Sequence, residues 1–416
     1  MISAVKGTQD LLFPDITVWQ TVERAARETF ARYGFTEIRT PILEPTELFV
    51  RGIGDETDIV TKEMYTFQDR KGRSLTMRPE NTAGVARSMV EHRLYESPIH
   101  GRLYYIGPQF RYERPQKGRY RQFHQIGAEV LGDPAPGVDA ETIAMVMEFL
   151  GAVGVMGLVV QLNSVGCPNC RPIYVSALKE ELAGSAEHLC GDCRRRLETN
   201  PLRVLDCKVP TCQPYLDKAP HFTDFLCEAC AEHHDALREA LEILHVPFVP
   251  RPRLVRGLDY YTRTVFEVTS SALGAQDALL GGGRYDGLLE QIGGPACAGF
   301  GWALGMERLL MALPQPAASR LPWSYLAWAG GGTYRAALAL ARDLRAAGAV
   351  VVMEHTARSF KSALKRADRM NVRFVVLLGE EEAGSGRYTL KDMATGEQSA
   401  LGREELTRHL VEEEGA

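Results

Sequence analysis

One stretch constrains the fold more than any other: Phe110 to Gln125, which reads FRYERPQKGRYRQFHQ. It carries five cations, Arg111, Arg114, Lys117, Arg119 and Arg121, against one carboxylate, Glu113. Aromatic and β-branched residues precede it at Arg102 to Ile106, and apolar residues recur at intervals from Phe123 to Val130. Pro115 and Lys117-Gly118 interrupt any continuous strand. The pattern predicts two antiparallel strands joined by a basic loop. Alternation along the second strand puts Phe123, Gln125, Gly127 and Glu129 on one face. A glycine between an amide and a carboxylate leaves room for a ligand against the backbone, and the two polar groups suit a ligand with N–H donors. Arg111, expected on the partner strand, offers a planar fork for phosphate or carboxylate. A surface hairpin with a solvated charged tip accounts for the same residues.

Size and charge narrow the classes. A chain of 416 residues exceeds one ordinary core, so two or three domains are expected. Its 45% hydrophobic and 24% charged content is that of a soluble globular protein. A net charge of −5 excludes nucleic-acid binding by bulk positive charge, so any RNA contact must use local basic patches. No run of 18 apolar residues and no basic-then-apolar start is present, so no membrane span or signal peptide is expected and the location is read as cytoplasmic. Nine cysteines in that compartment are expected as reduced thiols or metal ligands. Eight fall between Cys167 and Cys230. Cys167/Cys170, Cys190/Cys193 and Cys227/Cys230 have C-x2-C spacing, and Cys207/Cys212 is a looser fourth pair. Such pairs grip zinc, in two four-thiolate sites or in one site with spare thiols, and the pairing stays open. Disulfides and unpaired buried thiols are the alternatives.

Along the chain, Pro14-Asp15 leads into a helix from Ile16 to Tyr33, with Asp15 as N-cap and Gly34 as its close. Phe35 to Glu44 reads as a strand interrupted at Pro41, which marks an edge or a subunit boundary. Arg78-Pro79-Glu80-Asn81-Thr82 opens a helix from Ala83 to His92. Leu254 to Val268, LVRGLDYYTRTVFEV, has strand character. Gly281 to Gly287, GGGRYDG, is neither a P-loop nor a Rossmann fingerprint, and by itself is a turn or part of a site. In Gly299-Phe300-Gly301-Trp302-Ala303-Leu304-Gly305 every second residue is small. As a strand it has one nearly bare face, on which a purine ring or a tightly packed helix lies flat. A helix from Met306 carries Arg308. Pro314 to Pro322 is a linker by composition. Ala336–Ala347, Val350–Met353, Arg358–Met370 and Arg373–Leu378 then alternate as helix, strand, helix, strand. Arg358, Lys361, Lys365 and Arg369 form one basic helical stripe, and from Pro322 onward the chain has 13 basic and 13 acidic residues.

FRYERPQKGRYRQFHQ resembles the motif 2 hairpin of class II aminoacyl-tRNA synthetases, in the form typical of histidyl-tRNA synthetases. RPENT, RGLDYY and GFGWALG with Arg308 resemble further blocks of that family, the last being motif 3, and the resemblance covers nearly the whole chain. It implies a mixed α/β fold: a class II antiparallel-sheet catalytic core, an inserted helical domain and a C-terminal α/β anticodon-binding domain. Residues 1–166 would be the first part of the core, 167–250 the cysteine-rich insertion, 251–321 the second part and 322–416 the anticodon-binding domain. Phe35 to Glu44 would be motif 1, which builds a homodimer interface.

The resemblance also implies roles. Arg111 and Arg256 would be catalytic, at the reacting carboxylate and α-phosphate. Glu80 and Thr82 would take the amino group of histidine, and Gln125, Glu129, Tyr260, Tyr261 and Tyr285 would complete its pocket. The family usually has glycine where this chain has Asn81. Arg111, Glu113, Gly305 and Arg308 would bind ATP with Mg²⁺, Arg308 at the γ-phosphate, and Arg114 and Gln116 would lie near the tRNA acceptor end. The implied activity is histidine–tRNA ligation, with L-histidine, ATP and tRNA(His) as partners and no membrane. Two other classes fit parts of the pattern: a non-catalytic regulatory paralogue, which typically lacks the C-terminal domain, and a zinc-ribbon nucleic-acid adaptor, which leaves most of the chain unexplained.

Overall fold

The computed structural model describes residues 2–55, 57–97, 99–274, 278–314 and 321–414. The chain divides into two compact units, Met1–Gln315 and Pro316–Ala416. In the first, α1 (Asp15–Arg32) leads through the short β1 (Thr36–Glu37) and β2 (Leu43–Pro45) to α2 (Thr46–Ile53). The hairpin β3 (Tyr65–Gln68) and β4 (Ser74–Met77) precedes α3 (Thr82–Glu91). Then come β5 (Arg102–Phe110), β6 (Gln122–Leu131), α4 (Pro136–Ala152) and β7 (Leu158–Ser164). A helical stretch follows: α5 (Cys170–Ala183), α6 (Gly191–Thr199), α7 (Gln213–Leu216) and α8 (Glu228–Ile243). The chain returns to strands with β8 (Phe248–Pro250), β9 (Thr262–Ser270) and β10 (Ala278–Arg284), then α9 (Leu288–Gln291), β11 (Gly299–Gly305) and α10 (Met306–Ala312).

Eight of these strands form one sheet in the order β1-β5-β6-β11-β10-β9-β7-β8. The six central strands run antiparallel, and β1 and β8 join the edges in parallel. Alternation divides the apolar residues between the two faces. Ile126, Ala128 and Val130 of β6 and Phe300, Trp302 and Leu304 of β11 pack under α1, α4 and α8. Leu103 and Tyr105 of β5 and Val265 of β9 face α3 and the cysteine-rich helices. The polar residues of interest lie on this second face. β2, β4 and β3 form a separate three-stranded sheet.

Several local expectations need correction. Asp15 does not cap α1; the helix begins at Asp15 after Pro14, with no side-chain cap, because the carboxylate sits within the first turn. Phe35 to Glu44 is not one interrupted strand. Its halves join different sheets, β1 beside β5 and β2 beside β4, and Pro41 lies in the break. Residues 254–261 are irregular and the strand starts only at Thr262. Gly281 to Arg284 is strand, paired on both sides.

The second unit has a sheet ordered β13-β12-β14-β15-β16. Its strands are β12 (Leu321–Trp328), β13 (Val351–Met353), β14 (Val372–Leu378), β15 (Arg387–Asp392) and β16 (Gln398–Gly402). Its helices are α11 (Thr333–Ala346), α12 (Phe360–Arg369), α13 (Glu380–Ser385) and α14 (Arg403–Glu414). The linker expected at Pro314 to Pro322 lies largely outside the described residues, and strand begins at Leu321. Arg358 precedes α12, and it and Arg366 pair with Glu354, so the helix itself carries only Lys361, Lys365 and Arg369 of the expected stripe.

Candidate active site

β5 and β6 form the expected hairpin. Gln125, Gly127 and Glu129 share a face and cross-pair with Gly107, Tyr105 and Leu103. Arg111 lies one residue beyond β5, yet its amide still donates to the Arg121 carbonyl at 2.9 Å, so the hairpin continues into the loop. Its Nε donates to the Pro79 carbonyl at 2.8 Å, tying the basic loop to the start of α3. The space over Gly127 is not open to a ligand, because the Tyr105 ring occupies it.

Glu129 is the centre of a closed polar cluster. Its side chain is buried, and Thr82 Oγ1 (2.9 Å) and Tyr105 OH (3.3 Å) both donate to Oε1. The Tyr285 hydroxyl donates to Oε2. Burial pushes the Glu129 carboxyl up to about 8, with a contribution from the nearby Glu80 charge, against the lowering effect of those hydroxyl donors. Glu80 is buried too, and burial raises its carboxyl despite hydrogen bonds from the Thr82 amide at 2.7 Å and the Ala83 amide at 3.0 Å. The Tyr260 ring lies tilted against Tyr261 and edge-on to Tyr285, with ring centroids 4.7 and 5.6 Å away. Two buried carboxyls ringed by tyrosines, neither of them in a salt bridge among the described residues, form a site that a ligand ammonium or N–H group would stabilise. The Asn81 side chain does not enter this cluster; it accepts a hydrogen bond from Thr40 Oγ1 at 2.7 Å.

Beside it opens a cavity of about 910 Å³. That volume lies at the upper end of ligand pockets, roughly 300–1,000 Å³. Arg111, Glu113, Gln125, Arg256, Gly305 and Arg308 all line it, so the structure brings these expected residues together. Gln125 Oε1 is buried without a hydrogen-bond partner. Arg256 pairs with Glu267, and its guanidinium lies flat where a Cβ on Gly281 would be, so only glycine allows this approach. The Arg308 Nε donates to the Ala278 carbonyl. The bare face of β11 is only half free. Tyr285 covers Gly299 and Glu129 covers Gly301, leaving Ala303 and Gly305 to line the cavity. Arg114 and Gln116 do not line it. They are exposed on the loop, where Gln116 bridges to Arg119.

Some contributors carried no sequence signal. Glu267, the partner of Arg256, sits in an ordinary strand pattern. Arg203 and Asp206 line the cavity from the stretch between α6 and α7, whose placement only the fold reveals. Gln109 is fully buried with neither side-chain atom paired. Alternation on β5, facing Phe123 across the hairpin, could have singled it out.

An antiparallel sheet that sets a cation-lined, nucleotide-sized cavity against a small closed carboxylate pocket defines the layout of a class II aminoacyl-tRNA synthetase. The histidyl-tRNA synthetase family matches residues 7–170 and 216–309, and an anticodon binding domain matches residues 329–413. A histidine–tRNA ligase of Solibacter usitatus is 54% identical over 413 residues, covering 99% of both chains. One of Koribacter versatilis is 50% identical over 423 residues, covering 99% of this chain and 96% of that one. The crystal structure of apo S. aureus histidyl-tRNA synthetase superposes with a TM-score of 0.82 at 36% identity, covering 99% of this chain and 100% of that one. The chain therefore belongs to the histidyl-tRNA synthetase family.

Proposed function

We propose that the chain is a histidine–tRNA ligase working in two steps. A carboxylate oxygen of histidine attacks the α-phosphorus of ATP, the bond to the β-phosphate oxygen breaks, and pyrophosphate leaves with the electron pair. A hydroxyl of the terminal ribose of tRNA(His) then attacks the carbonyl carbon of histidyl-adenylate, losing its proton as AMP departs. Membership of the family, together with a carboxylate pocket adjoining an arginine-lined cavity, supports this reading.

Neither step needs a covalent enzyme intermediate. Both need alignment and positive charge where negative charge gathers. Arg111 and Arg256 bracket the α-phosphate and the reacting carboxylate, and Arg308 holds the γ-phosphate. Gly305 leaves room for the nucleotide, and Glu113 contacts it. Glu80 and Thr82 receive the histidine ammonium, while Glu129 and Gln125 fix the substrate within the wall of Tyr260, Tyr261 and Tyr285. Arg114 and Gln116, on the exposed loop, approach the tRNA acceptor end, and the 329–413 unit reads the anticodon.

Mg²⁺ bound with ATP would neutralise charge on its phosphates, and Glu63 and Glu113 would hold it. The cavity supplies suitable oxygens. Glu63 and Glu113 both line it, and the Glu63 carboxyl is raised by burial and then by the Glu113 charge, a repulsion that a divalent cation relieves. Zinc in the cysteine-rich stretch is structural in this reading. The protein acts as a cytoplasmic homodimer, the edge at β1 and the Pro41 break forming the subunit contact. No helix among the described residues is long and apolar enough to cross a membrane.

Charging of tRNA(His) with labelled histidine tests the proposal. Accumulation of acid-precipitable histidyl-tRNA that requires ATP is expected. Absence of charging by folded protein with intact tRNA would overturn it.

A further inference from the structure

We propose that residues 167–230 hold two zinc ions in separate, nested four-thiolate sites: an outer one of Cys167, Cys170, Cys227 and Cys230, and an inner one of Cys190, Cys193, Cys207 and Cys212. Spacing alone leaves the pairing of four cysteine pairs open, and the fold decides it. Within each quartet all four sulfurs lie within 4.8 Å of one another. The sulfurs are separated by 3.6 Å for Cys167–Cys170, 3.9 Å for Cys167–Cys227 and 3.9 Å for Cys190–Cys207. Four thiolates around zinc at about 2.3 Å in a tetrahedron stand about 3.8 Å apart. A disulfide would bring two sulfurs to about 2.05 Å, and all eight cysteines are free thiols. The quartets thus have the spacing of a closed metal site and not of bridged pairs.

The backbone favours the charged form of these sulfurs. The Cys227 amide points at Cys170 Sγ (3.1 Å) and the Cys190 amide at Cys212 Sγ (3.2 Å). The amides of Cys193 and Val209 point at Cys190 Sγ and Cys207 Sγ, both at 3.4 Å. Such amide donors are the outer partners that orient and stabilise metal-bound thiolates. Three of the four pairs also straddle helix starts: Cys170 begins α5, Cys190 caps α6 and Cys227 caps α8, where the helix dipole favours negative charge. Four soft thiolates and no open position select a structural zinc.

The nesting gives each ion a different span. The outer site joins the start of α5 to the start of α8, just beyond the point where the chain leaves β7 at Ser164. The inner site closes 190–212, a loop whose Asn200 and Arg203 brace the 256–261 segment. Arg203 Nη2 donates to the Gly257 carbonyl at 2.7 Å, and Asn200 Nδ2 to Asp259 Oδ1 at 3.1 Å. All four inner cysteines fall in 171–215, outside the family match, so membership of the family assigns them no role.

Elemental analysis of full-length protein purified without chelator tests this independently of aminoacylation. Two zinc ions per chain are expected. Cys207→Ser and Cys227→Ser should each retain one, and Cys297→Ser, outside both quartets, should retain two. If a variant fails to fold, native thiol titration of the unaltered protein serves instead, with four thiols protected per zinc. Background zinc with all eight thiols reacting in folded protein, or loss of both ions on altering the inner quartet alone, would overturn the proposal.

Discussion

Gly301 of β11 and Glu129 of β6 are direct cross-strand partners, and the Glu129 carboxylate occupies the place of a side chain on Gly301. The absent Cβ is what lets the carboxylate turn toward Thr82 and Tyr285. Gly301→Ala should therefore push Glu129 off its donors, and because the new Cβ also meets the Ala128 carbonyl, its effect should fall first on this pocket. The histidine KM in pyrophosphate exchange should rise about tenfold or more, corresponding to ~1.4 kcal/mol, with the ATP KM little changed. Equal weakening of both substrates would show a general collapse of the sheet.

Glu129 also sets a pH dependence. Its carboxyl is raised to about 8 in the ligand-free protein. A raised carboxyl means the folded state holds the proton between the ordinary range and that value. Glu129 therefore contributes a stability that is greatest at low pH and falls as pH rises toward about 8. A substrate cation favours the ionised form, so binding at neutral pH expels this proton. The histidine KM should fall between pH 6 and about 8, and Glu129→Gln should flatten that slope. A variant with the same slope as the unaltered protein would remove Glu129 from the pocket chemistry.

Arg256→Ala should slow histidine-dependent pyrophosphate exchange by ~10²–10³-fold, the usual cost of one preorganised charge contact. Glu267, its partner, is partly solvent-accessible, so the fold should survive the loss. Thermal unfolding close to that of the unaltered protein, combined with the slow rate, is the expected pair of results. A near-normal rate would take Arg256 out of catalysis.

The compact first unit ends at Gln315. A chain stopped there should still exchange pyrophosphate but charge tRNA poorly. Undiminished charging would show that the 316–416 unit does not read tRNA.

The legible parts of this site were those carried by local pattern. Alternation placed Gln125 and Glu129 together because β6 is regular and one of its faces is buried. Small residues at every second position disclosed the bare face of β11 for the same reason. What covers that face was not legible. Tyr285 and Glu129 lie over Gly299 and Gly301, which depends on strand order, a long-range property. The Arg256–Glu267 pair was hidden similarly, since irregular backbone at 254–261 carries no periodicity. The Phe35–Glu44 stretch misled because two short extended pieces joined by a turn look like one strand when the sheets they enter are unknown. The paired spacing of the cysteines was legible in the sequence, while which four sulfurs stand together depends on the packing of α5, α6 and α8.

In the proposed reaction the pocket around Glu129 and the cavity around Arg256 together activate histidine. Isotope exchange between pyrophosphate and ATP, measured with each amino acid in turn and no tRNA present, tests it most directly. Rapid exchange with histidine alone is the expected result. Folded protein that binds ATP yet shows no exchange with histidine, or exchanges equally with another amino acid, would contradict it.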